Sequence, residues 1–216
     1  MSKNLLDQLK EERIVAILRG IPKERANQIA HALCEGGIVF TEVTMNTEGA
    51  TRMISDWREQ FGERMRIGAG TVLDLKTAQE AASAGAEYLV SPNLDESVVE
   101  YALSRGLSVF PGAMTPTEII RAWKGGATAV KIFPMATLGV GYLKEIRAPL
   151  DHIPMLATGG VRMDNIREFL AAGAVAVGIG GYLVNPALVR EGRYERIAQN
   201  AKDLVRAVKS YGPSLV

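Results

Sequence analysis

The stretch 66–92 reads RIGAGTVLDLKTAQEAASAGAEYLVSP. It opens with a short apolar run, 66–72, and closes with another, 88–92. Between them lies an amphipathic stretch, entered at Asp74 and left at Ala84-Gly85-Ala86. Asp is a favoured helix N-cap, and glycine supplies the left-handed residue at which many helices end. The pattern predicts strand–helix–strand. Two strands joined in this way pair in parallel, because a parallel connection needs a crossover.

The same unit recurs in both directions from this stretch. Further β-rich runs lie at 14–19, 39–45, 108–114, 129–135, 154–160 and 174–181, and a helix at about 3–12 precedes the first. Helices close on Glu35-Gly36-Gly37, Gly125-Gly126-Ala127 and Ala172-Gly173-Ala174, and Pro22, Asp95, Thr115 and Asp164 mark helix starts. Eight strand–helix units are the number that closes a (β/α)8 barrel, here with an added N-terminal helix, and a doubly wound open sheet is the alternative. The recurrence without a linker predicts a single domain over 1–216.

Composition narrows the function. Hydrophobic residues are 47% and charged residues 23% of 216, ordinary values for a globular protein. A net charge of +1 leaves no electrostatic footprint for nucleic acid or an anionic membrane. No apolar stretch approaches the ~20 residues of a membrane span. The start MSKNLLDQLKEER has no signal-peptide core, and the single Cys34 suits a reducing compartment, so the expected location is the cytoplasm. His31 and His152 have no partners at metal-ligand spacing, so no metal is expected. No Gly-x-Ser-x-Gly elbow or Walker motif occurs, and Gly68-x-Gly70 lacks the third glycine of a dinucleotide fingerprint.

Barrel enzymes carry their chemistry at the C-terminal ends of the strands. Those ends here collect polar and small residues. Lys131 interrupts the apolar Ala129-Val130-Lys131-Ile132-Phe133-Pro134. Alternation puts Lys131 and Phe133 on one face, and Glu42, Thr44 and Asn46 on one face of the second strand. If both faces point inward, an ammonium meets a carboxylate in a low-dielectric cavity. Desolvation lowers a lysine pKa, and a lysine that is neutral often enough can attack a ketone. The competing reading is a buried ion pair that only orders the barrel. Thr158-Gly159-Gly160 and Gly178-Ile179-Gly180-Gly181 end the last two strands, where barrels commonly bind phosphate, and tight packing is the competing reading.

With these positions in hand, the chain resembles the 2-keto-3-deoxy-6-phosphogluconate (KDPG) and 4-hydroxy-2-oxoglutarate (KHG) aldolase family over nearly its whole length. The matching motifs include Ala16-Ile17-Leu18-Arg19-Gly20, Glu42-Val43-Thr44, Gly68-Ala69-Gly70-Thr71-Val72 and Val90-Ser91-Pro92. Pro111-Gly112, Met114-Thr115-Pro116-Thr117-Glu118, Lys131-Ile132-Phe133-Pro134 and Thr158-Gly159-Gly160-Val161 follow in order. The resemblance implies a class I aldolase on a (β/α)8 barrel, a homotrimer with no metal or cofactor, acting on a small keto acid. It implies Lys131 as the Schiff-base lysine and Glu42 as the proton shuttle. It implies Arg19, Thr71 and Pro92 as keto-acid contacts, and Gly159 and Gly160 as phosphate contacts. Thr44, Asn46, Gly70, Phe133 and Thr158 join the expected substrate site, and Gly180 and Gly181 the phosphate site.

Two positions depart from the pattern. Many relatives carry arginine where this chain has Asn46, which blurs the C4 stereochemistry. Many carry serine where it has Gly181, which shifts preference toward an unphosphorylated acid. A sugar-phosphate isomerase or epimerase, which needs no covalent lysine, and a non-catalytic sugar-acid sensor are the rival functions.

Overall fold

The computed structural model describes residues 4–210. Its strands are β1 (Ile14–Leu18), β2 (Phe40–Thr44), β3 (Arg66–Gly70), β4 (Tyr88–Val90), β5 (Ser108–Phe110), β6 (Gly112–Ala113), β7 (Val130–Ile132), β8 (Met155–Thr158) and β9 (Ala176–Ile179). The helices are α1 (Leu5–Glu12), α2 (Ala26–Glu35), α3 (Ala50–Phe61), α4 (Leu75–Ser83), α5 (Glu96–Ser104), α6 (Pro116–Lys124), α7 (Met135–Arg147), α8 (Ile166–Ala171), α9 (Pro186–Arg190) and α10 (Tyr194–Lys209). Every strand pair is parallel, in the order β5-β4-β3-β2-β1-β9-β8-β7-β6.

Eight runs were expected and nine strands occur, because the run 108–114 is divided at Pro111. Proline has no N–H to give to a ladder. The segment still closes the barrel: β5 pairs with β4 through Leu89↔Val109, and β6 pairs with β7 through Gly112↔Lys131. Lys131 N–H donates to Pro111 O at 2.9 Å across the seam. The two ends of the strand order are therefore one stretch of chain, and the sheet is a barrel rather than the open alternative.

Alternation produces two cores. Inward side chains, among them Val15, Phe40, Tyr88, Val90, Phe110 and Leu156, fill the lower lumen, and Leu9 of α1 plugs its N-terminal end. Outward side chains, such as Val43, Ile67, Leu89 and Val177, pack under the helices. The opening helix was expected from about residue 3; Asn4 caps it by accepting the Asp7 N–H, and Lys3 lies outside the described residues.

Other local signals are realised with two exceptions, Asp164 and Pro22, which precedes a 3-10 turn at Lys23–Arg25 rather than α2 itself. Asp74 and Asp95 cap α4 and α5, and Thr115 forms a reciprocal capping box with Glu118. Gly85 and Gly173 close their helices at φ 93° and 97°, where a Cβ would be strained. Asp164 caps nothing: α8 begins after Asn165, and the Asp164 carboxylate accepts from Arg162 Nε at 3.2 Å. The nearby arginine competes successfully for the carboxylate.

Candidate active site

Above the lower lumen, the next inward layer changes character. Ile17, Glu42 and Lys131 stand one pleat above Val15, Phe40 and Ala129, and Ile17 pairs in register with Glu42. Lys131 and Glu42 are 4% and 1% exposed. Fully buried charges of this kind are rare without a partner. Here the carboxylate is left open: Glu42 Oε1 is buried with no hydrogen-bond partner, and among the described residues no salt bridge closes between it and Lys131. A stabilising ion pair would be closed. The arrangement is that of two groups set to receive something between them.

The electrostatics agree. Burial raises the Glu42 carboxyl, against the opposing pull of Lys131 and then Arg19. Burial also lowers the Lys131 ammonium; Glu42 resists this and Arg19 adds to it. Each group is thus driven toward its neutral form, which for a lysine is the nucleophile. The Phe133 ring centroid lies 5.4 Å from Lys131 Nζ and walls it on one side.

Lys131 opens into a cavity of about 220 Å³ at the C-terminal end of the barrel. Arg19, Thr71, Pro92, Phe133 and Thr158 line it, with Gly159, Gly160, Gly180 and Gly181 along the far side. Thr158 is 4% exposed and its Oγ1 has no partner within the protein, so its hydroxyl is free for a ligand oxygen. Thr71 holds φ at 56°, an uncommon and costly conformation for a β-branched residue, at the point where it faces the cavity.

The glycine turn lies against the start of α7. A Cβ on Gly160 would sit 2.9 Å from Ala136 Cα, so this approach admits no side chain. The backbone nitrogens of Met135 and Ala136 are the atoms nearest to where a Gly159 Cβ would project, at 3.3 and 3.5 Å. Unpaired N–H groups at a helix start suit an anion. Gly181 has open space on its Cβ side.

Four expected residues lie off the cavity wall. Glu42 is buried outside the lining and coupled electrostatically to Lys131. Gly70 makes room for Glu42: a Cβ there would lie 2.4 Å from Oε1. Thr44 is fully buried and is hydrogen-bonded at 3.0 Å to Thr47, whose hydroxyl accepts the Gly20 N–H at 2.9 Å. It ties the first two strand ends together. Asn46 lies beyond β2 and is exposed. Ile17 and Val161 line the cavity without having been expected there, and Gly178, from the glycine turn expected near an anion, joins them. Alternation from Arg19 could have found Ile17, whose apolar character hid it.

Gly70→Ala is expected to push the carboxylate aside, costing roughly 1–3 kcal/mol by overpacking and at least tenfold in turnover. Thermal melting and a cleavage assay on the same sample would check both.

A larger cleft of about 510 Å³ lies beside Asn93, Asp95, Glu118 and Arg121. Its polar groups are already engaged: Asp95 and Glu118 cap helices, and Arg121 pairs with Glu96 at 2.7 Å. Among the described residues no group of three or more His, Cys, Asp or Glu could hold a metal ion, and no helix is long and apolar enough to cross a membrane. His31 packs edge-on against Phe61 at 4.8 Å.

Comparison with known proteins places this geometry. The family model for KDPG and KHG aldolases matches residues 5–200. The chain is 34% identical to 2-dehydro-3-deoxy-6-phosphogalactonate aldolase of Escherichia coli K12, covering 91% of this chain and 94% of that protein. It is 30% identical to 2-dehydro-3-deoxy-phosphogluconate aldolase of Treponema pallidum, covering 94% and 97%. A solved structure of native KDPGal superposes with a TM-score of 0.86 at 31% identity, covering 97% of each chain. A buried lysine at a strand end is what such an enzyme needs, and the isomerase and sensor alternatives are set aside: the chain belongs to the KDPG and KHG aldolase family and is a class I aldolase.

Proposed function

We propose that this chain cleaves 2-keto-3-deoxy-6-phosphogluconate to pyruvate and glyceraldehyde 3-phosphate, with Lys131 as the Schiff-base residue. The observation that carries the reading is the unpaired, desolvated Lys131 at the base of a cavity with Glu42 unpartnered beside it. Neutral Lys131 attacks the C2 ketone, and Glu42 supplies the proton with which the carbinolamine loses water as an iminium forms. The iminium is the electron sink. Glu42, directly or through water, takes the C4 hydroxyl proton. The C3–C4 electron pair then moves toward nitrogen as the aldehyde leaves. Protonation of the enamine at C3 and hydrolysis of the imine release pyruvate and restore Lys131. No metal or cofactor is required by these steps.

Arg19 offers a permanently charged fork for a carboxylate or phosphate. Thr71 and Thr158 orient the keto acid. Gly159, Gly160, Gly180 and Gly181 hold the phosphate through backbone N–H groups. The enzyme works in the cytoplasm as a homotrimer, and the whole chain is one folding unit. The galactonate epimer is the second reading, motivated by the 34% identical relative, with KHG and unphosphorylated acids beyond it.

Incubation with pyruvate and borohydride tests the proposal. A carboxyethyl adduct is expected on Lys131, located by peptide mass; an adduct elsewhere, or none, rejects it. Pyruvate release from the two C4 epimers, with and without the 6-phosphate, then ranks the substrates. The open space at Gly181 makes a further prediction. Gly181→Ser adds a hydroxyl donor to a charged acceptor, a bond worth roughly 1.5–3 kcal/mol. The phosphorylated substrate should gain about 10- to 100-fold in kcat/KM over its unphosphorylated counterpart.

A further inference from the structure

We propose that Tyr88, on the floor of the barrel lumen, is a positioning residue that holds Glu42 in place and keeps water from reaching it from below. Three observations meet here. First, the Tyr88 hydroxyl donates to the backbone oxygen of Thr41 at 2.7 Å, a fully buried bond to the residue immediately before Glu42. It ties β4 to β2 across the intervening β3. Second, β3 is notched by two glycines on one face. A Cβ on Gly68 would meet the Tyr88 ring at 2.3 Å, and one on Gly70 would meet the Glu42 carboxylate. Ring and carboxylate thus occupy adjacent notches of one strand, the ring directly under the acid. Third, Tyr88 stands between Phe40 and Phe110, with ring centroids 5.8 and 5.2 Å away. The three rings, all fully buried, form a closed aromatic floor.

A floor of this kind does two things for the acid above it. It puts three fully buried rings where solvent would otherwise stand, so the carboxylate is desolvated from beneath. It also pins the β2 backbone at the residue that carries the acid, and sub-ångström placement of a proton-transfer group governs its rate. The charged and titratable groups facing Glu42 are Lys131, Arg19 and Tyr88 itself; Glu42 in turn raises the Tyr88 hydroxyl, second only to burial. The inference rests on Glu42 being the proton shuttle.

Two variants test it. Tyr88→Phe keeps the ring and removes only the tie to Thr41. It should lower kcat about 3- to 10-fold, the range of one neutral hydrogen bond, with KM unchanged. Tyr88→Ser opens a polar void beneath Glu42, and water entering it should move the acid limb of the kcat/KM profile down by about one pH unit. A purely structural role would lower the melting temperature of both variants and leave that limb in place. An unmoved limb in a folded Tyr88→Ser protein, or unchanged kcat in Tyr88→Phe, overturns the inference. Glu42→Gln run alongside separates the two ideas. Loss of activity there with an unmoved limb in Tyr88→Ser sinks only the role of Tyr88. Wild-type turnover by Glu42→Gln sinks the shuttle and, with it, the reason for a floor.

Discussion

Lys131→Met should cut cleavage by about 10⁵- to 10⁶-fold, the scale on which removal of a covalent nucleophile acts. Methionine keeps the length and fills the same space beside Phe133, so the loss is chemical. Without the amine no iminium forms, and the C3–C4 electron pair has nowhere to go. The protein should melt at or above the wild-type temperature. An ammonium held 4% exposed without a closed ion pair is a desolvation cost, and the substitution removes it.

The sign of the accompanying pH effect follows from linkage. The folded-state pKa of Lys131 is depressed from 10.5. Between that lowered value and 10.5 the unfolded chain binds the extra proton, so wild-type stability rises with pH across the window. Below it the penalty is present in full, and above 10.5 it is gone. Lys131→Met should show none of this rise. Denaturation curves from neutral to alkaline pH would read it. A variant that cleaves substrate at a tenth of the wild-type rate would remove the imine from the mechanism.

Glu42→Gln should lose about 10²- to 10⁴-fold in kcat, the usual contribution of a positioned acid–base group. The glutamine amide fits the Gly70 notch and is as long as the acid. The two roles can be separated in one sample. Glu42 is the group that holds the Lys131 pKa up. Without it the lysine is neutral more often but the carbinolamine loses its proton donor, so borohydride trapping of pyruvate should be slowed yet still reach Lys131, while carbon–carbon cleavage falls by the full amount.

The wild-type pH profile should be bell-shaped. The productive pair carries one proton between Glu42 and Lys131, and the two limbs belong to the pair rather than to either residue. Because burial raises Glu42, the acid limb should lie above the ordinary 4.5 of a glutamate. Because burial lowers Lys131, the alkaline limb should lie below 10.5. In Glu42→Gln the bell should collapse to the single titration of Lys131, whose neutral form is still needed, so activity rises with pH and the alkaline fall disappears. A persistent alkaline limb in that variant would assign that titration to another group.

The strand–helix rhythm was legible because it is written in short-range terms. Apolar runs of five or six residues, Asp74, Asp95 and Thr115 at helix starts, and glycines at helix ends act within a turn or two of themselves. Eight such units are the number a barrel needs, and period-two alternation put Glu42 with Thr44 and Lys131 with Phe133 on shared faces; closure, and the inward direction of those faces, came from the fold. What misled was equally local. Asp164 has the chemistry of a cap, but Arg162 claims it. Asn46 shares the parity of Glu42, yet it lies past the end of β2, where parity no longer fixes direction.

Residue order and residue type alone determined the eightfold strand–helix rhythm, the lysine proposed to carry the chemistry and the glycine turns proposed to hold an anion. Only the folded chain decided that the acid and the lysine stand unpaired, that Gly70 exists to admit the acid, and that Thr44 buckles two strand ends instead of facing the cavity. These depend on distances between strands that are tens of residues apart in the chain. A side chain's neighbours across a barrel are set by register and closure, which no local pattern encodes.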